Sequence, residues 1–196
     1  MYHDAAQIYE ELLIIVPPDS EEYIATLYGQ ANQFARIGKL QQSLQVTERA
    51  LQVANQLQHA TWQIGCTMDK GWVYQLMGDL PEALFYYEAA LKLAYQHDHN
   101  ERIAKIYNNR AYALVLLNQY SQALNEVTQA IRLWEELAQN EERNRFSLAQ
   151  AYHTAGEIYL ELEQASDALP YFEHSLALFE REEVRGSEWK SQSRAG

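Results

Sequence analysis

One sequence pattern recurs four times along this chain of 196 residues, and it limits the folds that are open to it. One copy reads GDLPEALFYYEAALKLA at residues 78–94, and the others occupy residues 38–54, 118–134 and 163–179. Each copy carries a small residue at its sixth position, and these residues are spaced 40, 40 and 45 apart. Self-similarity at such a period is typical of arrays in which each unit buries its apolar face against the next.

Each copy has the spacing of a helix, and a second helical segment precedes it. Each preceding segment has a small residue with a large residue four positions before it and another three positions after it. These segments are residues 23–36, 62–77, 104–117 and 149–161. This spacing is one face of a helix. The segments are joined at Gly38, Gly78, Asn118 and Glu163, and glycine and asparagine suit the left-handed conformation that ends a helix. The sequence therefore predicts antiparallel helix pairs.

In two of the four helix pairs, small and aromatic residues on both helices form a longer motif. The motif consists of Gly71, Tyr74, Gly78, Ala83, Tyr87 and Ala90 in one pair, and of Tyr152, Gly156, Tyr159, Ala168 and Phe172 in the other. The motif resembles the tetratricopeptide repeat, in a long form similar to that of kinesin light chains and MalT-type bacterial regulators. HEAT and armadillo repeats have similar periods but lack this signature. The resemblance implies an all-α fold, an α-solenoid or superhelix of stacked antiparallel helix pairs.

The expected domain covers residues 1–182. It comprises a leading helix and four repeats, at residues 3–16, 20–58, 60–98, 100–139 and 143–182. The leading helix has the pattern of a second helix, so we expect either a fragment of a longer array or a natural cap. Residues 183–196 lose the periodicity and are predicted to form a disordered tail.

The charge of the chain argues against nucleic acid as a ligand. Acidic residues number 27 and basic residues 15, which gives a formal net charge of −12. Such a surface repels phosphate backbones and attracts basic segments of other proteins. The apolar runs at 12–16 and 111–117 are too short to span a bilayer, and a single cysteine, Cys66, forms no internal disulfide. We therefore expect a cytoplasmic protein that does not contact a membrane.

No enzyme motif is present, and we expect no catalytic activity and no cofactor. There is no phosphate-binding glycine-rich loop, no HExxH and no CxxC pair. His97, Asp98 and His99 are potential metal ligands, but residues one and two apart do not share a helix face. An exposed turn is the favoured interpretation of this stretch. Cys66 is expected to be a small buried residue rather than a nucleophile.

The resemblance also implies a binding groove lined by the first helix of each pair. The matching positions are Tyr28, Asn32, Met68, Trp72, Lys105, Asn108, Asn109, Tyr112, His153 and Glu157. Aromatic side chains supply contact area, and amides bond a peptide backbone in both senses. In the long-repeat relatives, an asparagine at the place of Asn109 holds the main chain of an extended peptide. Each of these assignments has an alternative. Trp72 and Tyr112 could be buried against a neighbouring repeat, and Asn108 and Asn109 could lie on a solvated helix face.

Chaperone-binding members of the family grip a C-terminal carboxylate with lysine and asparagine residues. This chain keeps Asn32, Lys105 and Asn109 but has Tyr28 in place of a lysine and Asp69 in place of an asparagine. Because an acid repels a carboxylate, chaperone tails are not the expected partner.

The sequence therefore predicts a non-catalytic scaffold or adaptor that binds a peptide or partner protein in its concave groove, as part of a larger protein. The acidic residues Glu157 and Glu161, at the C-terminal end of the groove, would favour a basic segment of that partner. A second hypothesis is a small-ligand-sensing domain of a MalT-like signalling ATPase or transcriptional regulator. A third is a structural role, in which exposed terminal helices drive homo-oligomerisation.

Overall fold

The computed structural model describes residues 2–141 and 144–192, with side chains for 8–139, 141 and 144–180. Over these ranges the chain forms helices and no strand. The helices are α1 (Tyr2–Ile15), α2 (Glu21–Arg36), α3 (Leu40–Gln56), α4 (Ala60–Met77), α5 (Leu80–Gln96), α6 (Asn100–Leu116), α7 (Tyr120–Asn140), α8 (Arg145–Glu161) and α9 (Ala165–Gln192). The chain divides into two compact units, Met1–Arg102 and Ile103–Gly196.

Within the first unit, consecutive helices pack in series: α1 on α2, α2 on α3, α3 on α4 and α4 on α5. Within the second unit, α7 packs on α8 and α8 on α9. Short connections along the chain join these neighbours, so they run antiparallel. The predicted all-α class of stacked helix pairs is confirmed.

The turns between paired helices share one backbone geometry. Gly38 and Gly78 have φ angles of +77° and +81°, and Asn118 and Glu163 adopt the same left-handed conformation at 58° and 59°. In each turn the next backbone N–H closes the helix on a carbonyl five residues back, as in Asp79 to Tyr74 at 3.0 Å. The following helix α5 is capped by the Asp79 side chain, which accepts from the Glu82 N–H at 3.3 Å. This cap satisfies a donor that the helix itself leaves unpaired.

Small residues let the paired helices approach each other. In the first unit, Ala50 and Ala54 of α3 are fully buried and join a core with Tyr23, Ile24 and Leu27 of α2. In the second unit, Ala130 and Trp134 of α7 pack with Leu148 and Ala151 of α8. The repeated small positions of the sequence are therefore contact points between helices, since a larger side chain there would separate the axes.

The ends of the predicted domain can be compared with the helices directly. Helix α1 spans Tyr2–Ile15, where the sequence predicts a helix at 3–16. Helix α9 extends to Gln192, into the stretch predicted as a disordered tail at 183–196, and residues 193–196 lie outside the described ranges. Residues 142 and 143, at the expected start of the last repeat, also lie outside them. Within the described residues, no helix combines the length and apolar character that a membrane span requires.

Candidate functional site

The predicted site residues lie on the first helices of the pairs: α2, α4, α6 and α8. In the first unit, the structure joins α2 to α4 through the Asn32 amide. Its Nδ2 donates to the Tyr28 carbonyl at 3.0 Å and to Asp69 Oδ2 at 3.2 Å. Asp69 is 7% exposed. The acid that the sequence places inside a ligand site is therefore buried and hydrogen-bonded within the protein.

Tyr28 completes this polar cluster. Its hydroxyl interacts with both the Asp69 carboxylate and the Arg102 guanidinium, and burial together with Asp69 raises the pKa of Tyr28 above its ordinary value. The Tyr28 ring meets the Trp62 ring edge to face, with centroids 5.3 Å apart. Trp62 is in turn fixed by its indole N–H, which donates to Glu21 Oε1 at 3.1 Å. Tyr28 is thus held at both ends and keeps its proton at neutral pH.

Arg102 belongs to the cluster and was missed by the sequence interpretation. It lies in the first turn of α6, and its guanidinium packs against Gly65 of α4. One sequence signal points to it: Arg102, Lys105 and Asn109 are spaced three and four apart, which extends the predicted face of α6 one turn upstream. The residues Tyr28, Asn32, Asp69 and Arg102 are named here the polar cluster of the first unit.

Met68 does not line an accessible surface. Its side chain is 1% exposed, so a partner cannot touch it in this structure, and the prediction that it contributes to the groove wall is wrong in this respect. Trp72, one turn further along α4, is half-buried. The indole therefore has both a packed part and a part that faces solvent.

In the second unit, four predicted residues lie on α6. Lys105 is exposed, Asn108 and Asn109 are half-buried, and Tyr112 is 44% exposed. Burial of Tyr112, which the sequence left open, is not what the structure shows. The amide oxygen of Asn108 is buried. Tyr112 and Asn109 are three residues apart, which places them on one side of the helix.

His153 and Glu157 form an exposed pair on α8. His153 Nδ1 lies 3.5 Å from Glu157 Oε2, and the His153 and Phe172 rings meet in a T-shaped arrangement with centroids 5.5 Å apart. Glu161, a turn further along, accepts from the Tyr120 hydroxyl at 3.3 Å. Pairs at this spacing on an exposed helix contribute only a few tenths of a kcal/mol. Both carboxylate side chains are exposed at the protein surface.

The potential metal and catalytic groups are separated. His99 Nε2 lies 2.9 Å from Thr61 Oγ1, and Asp98 occupies a left-handed turn position with φ 51°. Among the described residues, no three histidine, cysteine or acidic side chains lie close enough to hold a metal ion. Cys66 is fully buried, and burial raises the pKa of its thiol to about 12. A neutral, inaccessible thiol is a poor nucleophile.

Two family models match the chain. Both describe tetratricopeptide repeats, one over residues 63–136 and the other over residues 149–181. Together they cover more than half of the sequence. No curated protein sequence matches the chain significantly.

Solved structures with the same architecture are similar over nearly the whole chain. A Rap conjugation gene regulator of plasmid pLS20, in complex with the Phr* peptide, superposes with a TM-score of 0.80 at 19% identity. A Rap protein complexed with Competence and Sporulation Factor gives 0.77 at 22% identity. The matches cover 93% and 91% of this chain but only half of each Rap chain.

A third neighbour is a putative kinesin light chain from Podosopora anserina with nearly identical TPR-like repeats. Its TM-score is 0.65 at 14% identity, and the match covers 92% of this chain and 88% of that one. At such identities the likeness concerns the fold. The repeated helix pairs, the two family models and the fold of these neighbours agree: the chain belongs to the tetratricopeptide repeat family.

Proposed function

We propose that this chain is a non-catalytic interaction scaffold, and that the first-helix faces of its repeats bind a peptide or an extended segment of a partner protein. The observation that carries the proposal is the polar cluster of the first unit, to which α2, α4 and α6 each contribute side chains. Tyr28, Asp69 and Arg102 come from three successive first helices, and the Tyr28 hydroxyl interacts with both of the charged side chains. A preorganised polar site on rigid elements suits recognition, because little ordering remains to be done on binding.

The neighbouring structures support this class of function. One Rap regulator is described in complex with the Phr* peptide, and another Rap protein in complex with Competence and Sporulation Factor. Both share the fold of this chain over most of its length. A peptide ligand for this protein is therefore consistent with the peptide complex described for a protein of the same fold.

The residues proposed to make contact differ between the units. In the first unit they are the exposed part of Trp72 and the half-buried members of the polar cluster, Tyr28, Asn32 and Arg102. In the second they are Lys105, Asn109 and Tyr112 on α6, where a partly exposed aromatic ring and an amide lie on one helix face. Aromatic rings give contact area at low entropic cost, and the amide can both donate to and accept from a peptide main chain.

Finer features of the partner follow from surface charge and apolar exposure. Glu157 and Glu161 on α8 would favour a partner with a basic segment. The exposed Ile14 and Ile15 of α1 are an apolar surface through which two copies could associate. A cytoplasmic location, as part of a larger protein, belongs to the same proposal.

A display library of random peptides tests the proposal. The unit-specific variants are Trp72→Ala and Asn109→Ala, with controls of matched chemistry on second helices: Phe85→Ala, where the ring is 62% exposed, and Asn125→Ala on α7. We expect the wild type and both controls to enrich the same peptides, and at least one of the site variants to lose them at an unchanged melting temperature. Equal enrichment by all five proteins would contradict the assignment of these residues.

Small-ligand sensing in the manner of MalT-like regulators is the competing function. It predicts that no peptide is enriched, and that low-molecular-weight compounds instead raise the melting temperature of the wild type. The peptide selection and a thermal-shift screen on the same protein therefore separate the two functions.

A further inference from the structure

We propose that three tyrosines of α8 and α9 form a second site, which binds a lysine or arginine side chain of a partner protein. Tyr152, Tyr159 and Tyr171 are named here the tyrosine cluster, and all three belong to the second unit. The inference goes beyond the proposed function because the cluster lies away from the groove residues of α8. Tyr159 and Glu157 are two residues apart, which places them about 200° apart around the helix.

The rings of the tyrosine cluster contact one another. Tyr159 and Tyr171 are stacked, with centroids 5.1 Å apart and an angle of 25° between the rings. The Tyr152 ring lies 6.3 Å from that of Tyr171 and is tilted by 51° to it, and it stacks on the His174 ring at 5.2 Å. All three tyrosines are half-buried. The protein therefore holds each ring in place, while part of each side chain remains in contact with solvent.

Two carboxylates act on the hydroxyl groups of these rings. Glu135 Oε1 of α7 accepts a hydrogen bond from the Tyr152 hydroxyl at 2.5 Å. Burial, the Tyr159 hydroxyl and the negative charge of Asp167 together raise the pKa of Tyr171 above its ordinary value. Glu135 and Asp167 are both exposed. The site thus combines aromatic rings with negative charge, and both attract a cation.

In the first unit, an equivalent pair of tyrosines binds a cation of the chain itself. Tyr74 and Tyr86 are stacked with centroids 5.3 Å apart and an angle of 5° between the rings. Lys70 Nζ lies 4.4 Å from the centroid of the Tyr86 ring. The same ammonium group forms an ion pair with Glu48 of α3 at 2.6 Å. A stacked tyrosine pair with a carboxylate beside it is therefore a place where this fold accommodates a basic side chain.

The two tyrosine pairs occupy the same positions of the repeat. Tyr74 and Tyr159 each follow the central glycine of their helix by three residues, and their stacking partners each precede the large residue of the second helix. Lys70 directly precedes its glycine, and the corresponding residue of α8 is Ala155, which is fully buried. Among the described side chains, no lysine or arginine lies over a ring of the tyrosine cluster. The last helix pair keeps the rings but replaces the cation with alanine.

A basic side chain of a partner protein has the chemistry that suits this surface. The attraction between a cation and a tyrosine ring strengthens where water is partly excluded, and half-buried rings provide such a place. Glu135 and Asp167 would pair with the cation, as Glu48 does with Lys70. The net charge of −12 attracts basic segments to the protein over longer distances. An arginine would in addition stack its flat guanidinium group on a ring.

The probe is the synthetic peptide acetyl-Gly-Ser-Arg-Ser-Arg-Ser-Gly-amide. Its control carries citrulline, which has nearly the same shape but no charge, in place of both arginines. Each peptide is titrated into isotope-labelled protein at physiological ionic strength, and amide chemical shifts give the binding site and the dissociation constant. The proteins are the wild type, Tyr171→Leu, Tyr171→Phe, Glu157→Gln and Tyr86→Leu, the matched control in the first unit. Melting temperatures are measured for all, and Tyr159→Leu serves if Tyr171→Leu does not fold.

We expect the arginine peptide to shift the amide signals of α8 and α9. It should bind Tyr171→Leu about fivefold more weakly than the wild type, which is the effect of losing one cation–π contact. Tyr171→Phe keeps the aromatic ring and should bind like the wild type. The same is expected of Glu157→Gln and of Tyr86→Leu, whose ring is already contacted by Lys70. The citrulline peptide should bind the wild type at least fivefold more weakly than the arginine peptide does.

Three results would overturn the inference. They are equal affinity of the arginine peptide for the wild type and Tyr171→Leu, equal affinity of the two peptides for the wild type, and unchanged amide signals on α8 and α9. A loss of affinity in Glu157→Gln but not in Tyr171→Leu would also contradict it, because the basic residue would then bind in the groove. None of these results decides the proposed function, which is tested separately by peptide selection with Trp72→Ala and Asn109→Ala.

Discussion

Gly71 of α4 lies directly against the ring of Tyr87 on α5. A β-carbon added at Gly71 would come within 2.8 Å of two ring atoms and 3.0 Å of the Ala83 carbonyl oxygen. The same relationship occurs in the second unit, where a β-carbon at Gly156 would lie 2.8 Å from the Phe172 ring. The central small residue of the first helix and the large residue of the second are thus packing partners within each pair.

Replacing Gly71 with alanine is therefore expected to destabilise the first unit by about 1–3 kcal/mol, because Tyr87 and the α5 backbone have to move. Gly65→Ala is the matched control on the same helix. Its methyl group would meet Arg102 at 3.5 Å, an ordinary contact distance, and alanine is the better helix former. Thermal unfolding followed by circular dichroism measures both variants. Equal losses for the two would contradict the packing account.

Replacing Glu163 with glycine is expected to stabilise the chain. Glu163 has a φ angle of 59°, in a region where a side chain clashes with its own backbone and glycine does not. The gain is expected to be about 0.5–1 kcal/mol, since glycine also loses more freedom on folding. Gly78→Ala, at φ +81°, is the converse change and should lower the melting temperature. Opposite signs for the two variants are the expected result, and a common sign would contradict it.

The Asn32–Asp69 hydrogen bond is expected to contribute measurably to stability. Both partners are at least partly buried, and removing one leaves the other without its bond. Asn32→Ala and Asp69→Ala should each cost about 1–3 kcal/mol, and the double variant should cost clearly less than their sum. The coupling is obtained from a double-mutant cycle of melting temperatures. Strict additivity would show that the two side chains are independent.

Stability is expected to fall in alkaline solution because of Cys66. Burial raises the pKa of its thiol from 9.0 to about 12, so between these values the unfolded chain releases a proton that the folded chain retains. The stabilising contribution is complete below pH 9 and is lost as the pH rises towards 12. The buried hydroxyls of Tyr28 and Tyr87 have raised pKa values and act in the same direction at higher pH.

Cys66→Ala isolates the thiol contribution. Its melting temperature should fall less between pH 8 and pH 10 than that of the wild type, while both proteins share the tyrosine effect. In the wild type, a thiol-directed reagent at pH 8 should label Cys66 only after unfolding. Rapid labelling of the folded protein would contradict the burial on which the pH dependence rests.

Much of the fold could be predicted from sequence because its determinants are local and repeated. The spacing of Gly71 and Tyr87 identifies a packed helix pair, and Gly38 and Gly78 mark turns that need a left-handed residue. Glutamate is not a residue type that indicates a left-handed conformation, so the sequence did not predict one at Glu163. Its conformation is fixed by a backbone hydrogen bond, in which the next N–H donates to the Tyr159 carbonyl at 2.9 Å. That bond does not involve the side chain, so it can form with any residue type at this position.

The candidate site was less predictable because it depends on contacts between helices. Met68 was assigned to the accessible face from its position on one helix, but its side chain is buried. Arg102 is 37 residues from Gly65 in sequence and reaches it only through packing of the array. Periodicity shows which side of a helix a residue occupies. It does not show which neighbour covers that side.

The central claim is that the first-helix faces bind a peptide, and the most direct measurement is a dissociation constant. A peptide selected by the wild type is titrated into the wild type, Trp72→Ala, Asn109→Ala and the controls Phe85→Ala and Asn125→Ala, all with matched melting temperatures. The account predicts that at least one of the two site variants loses tenfold or more in affinity, on the order of 1.4 kcal/mol, while the controls bind like the wild type. Equal affinity for all five proteins would contradict it.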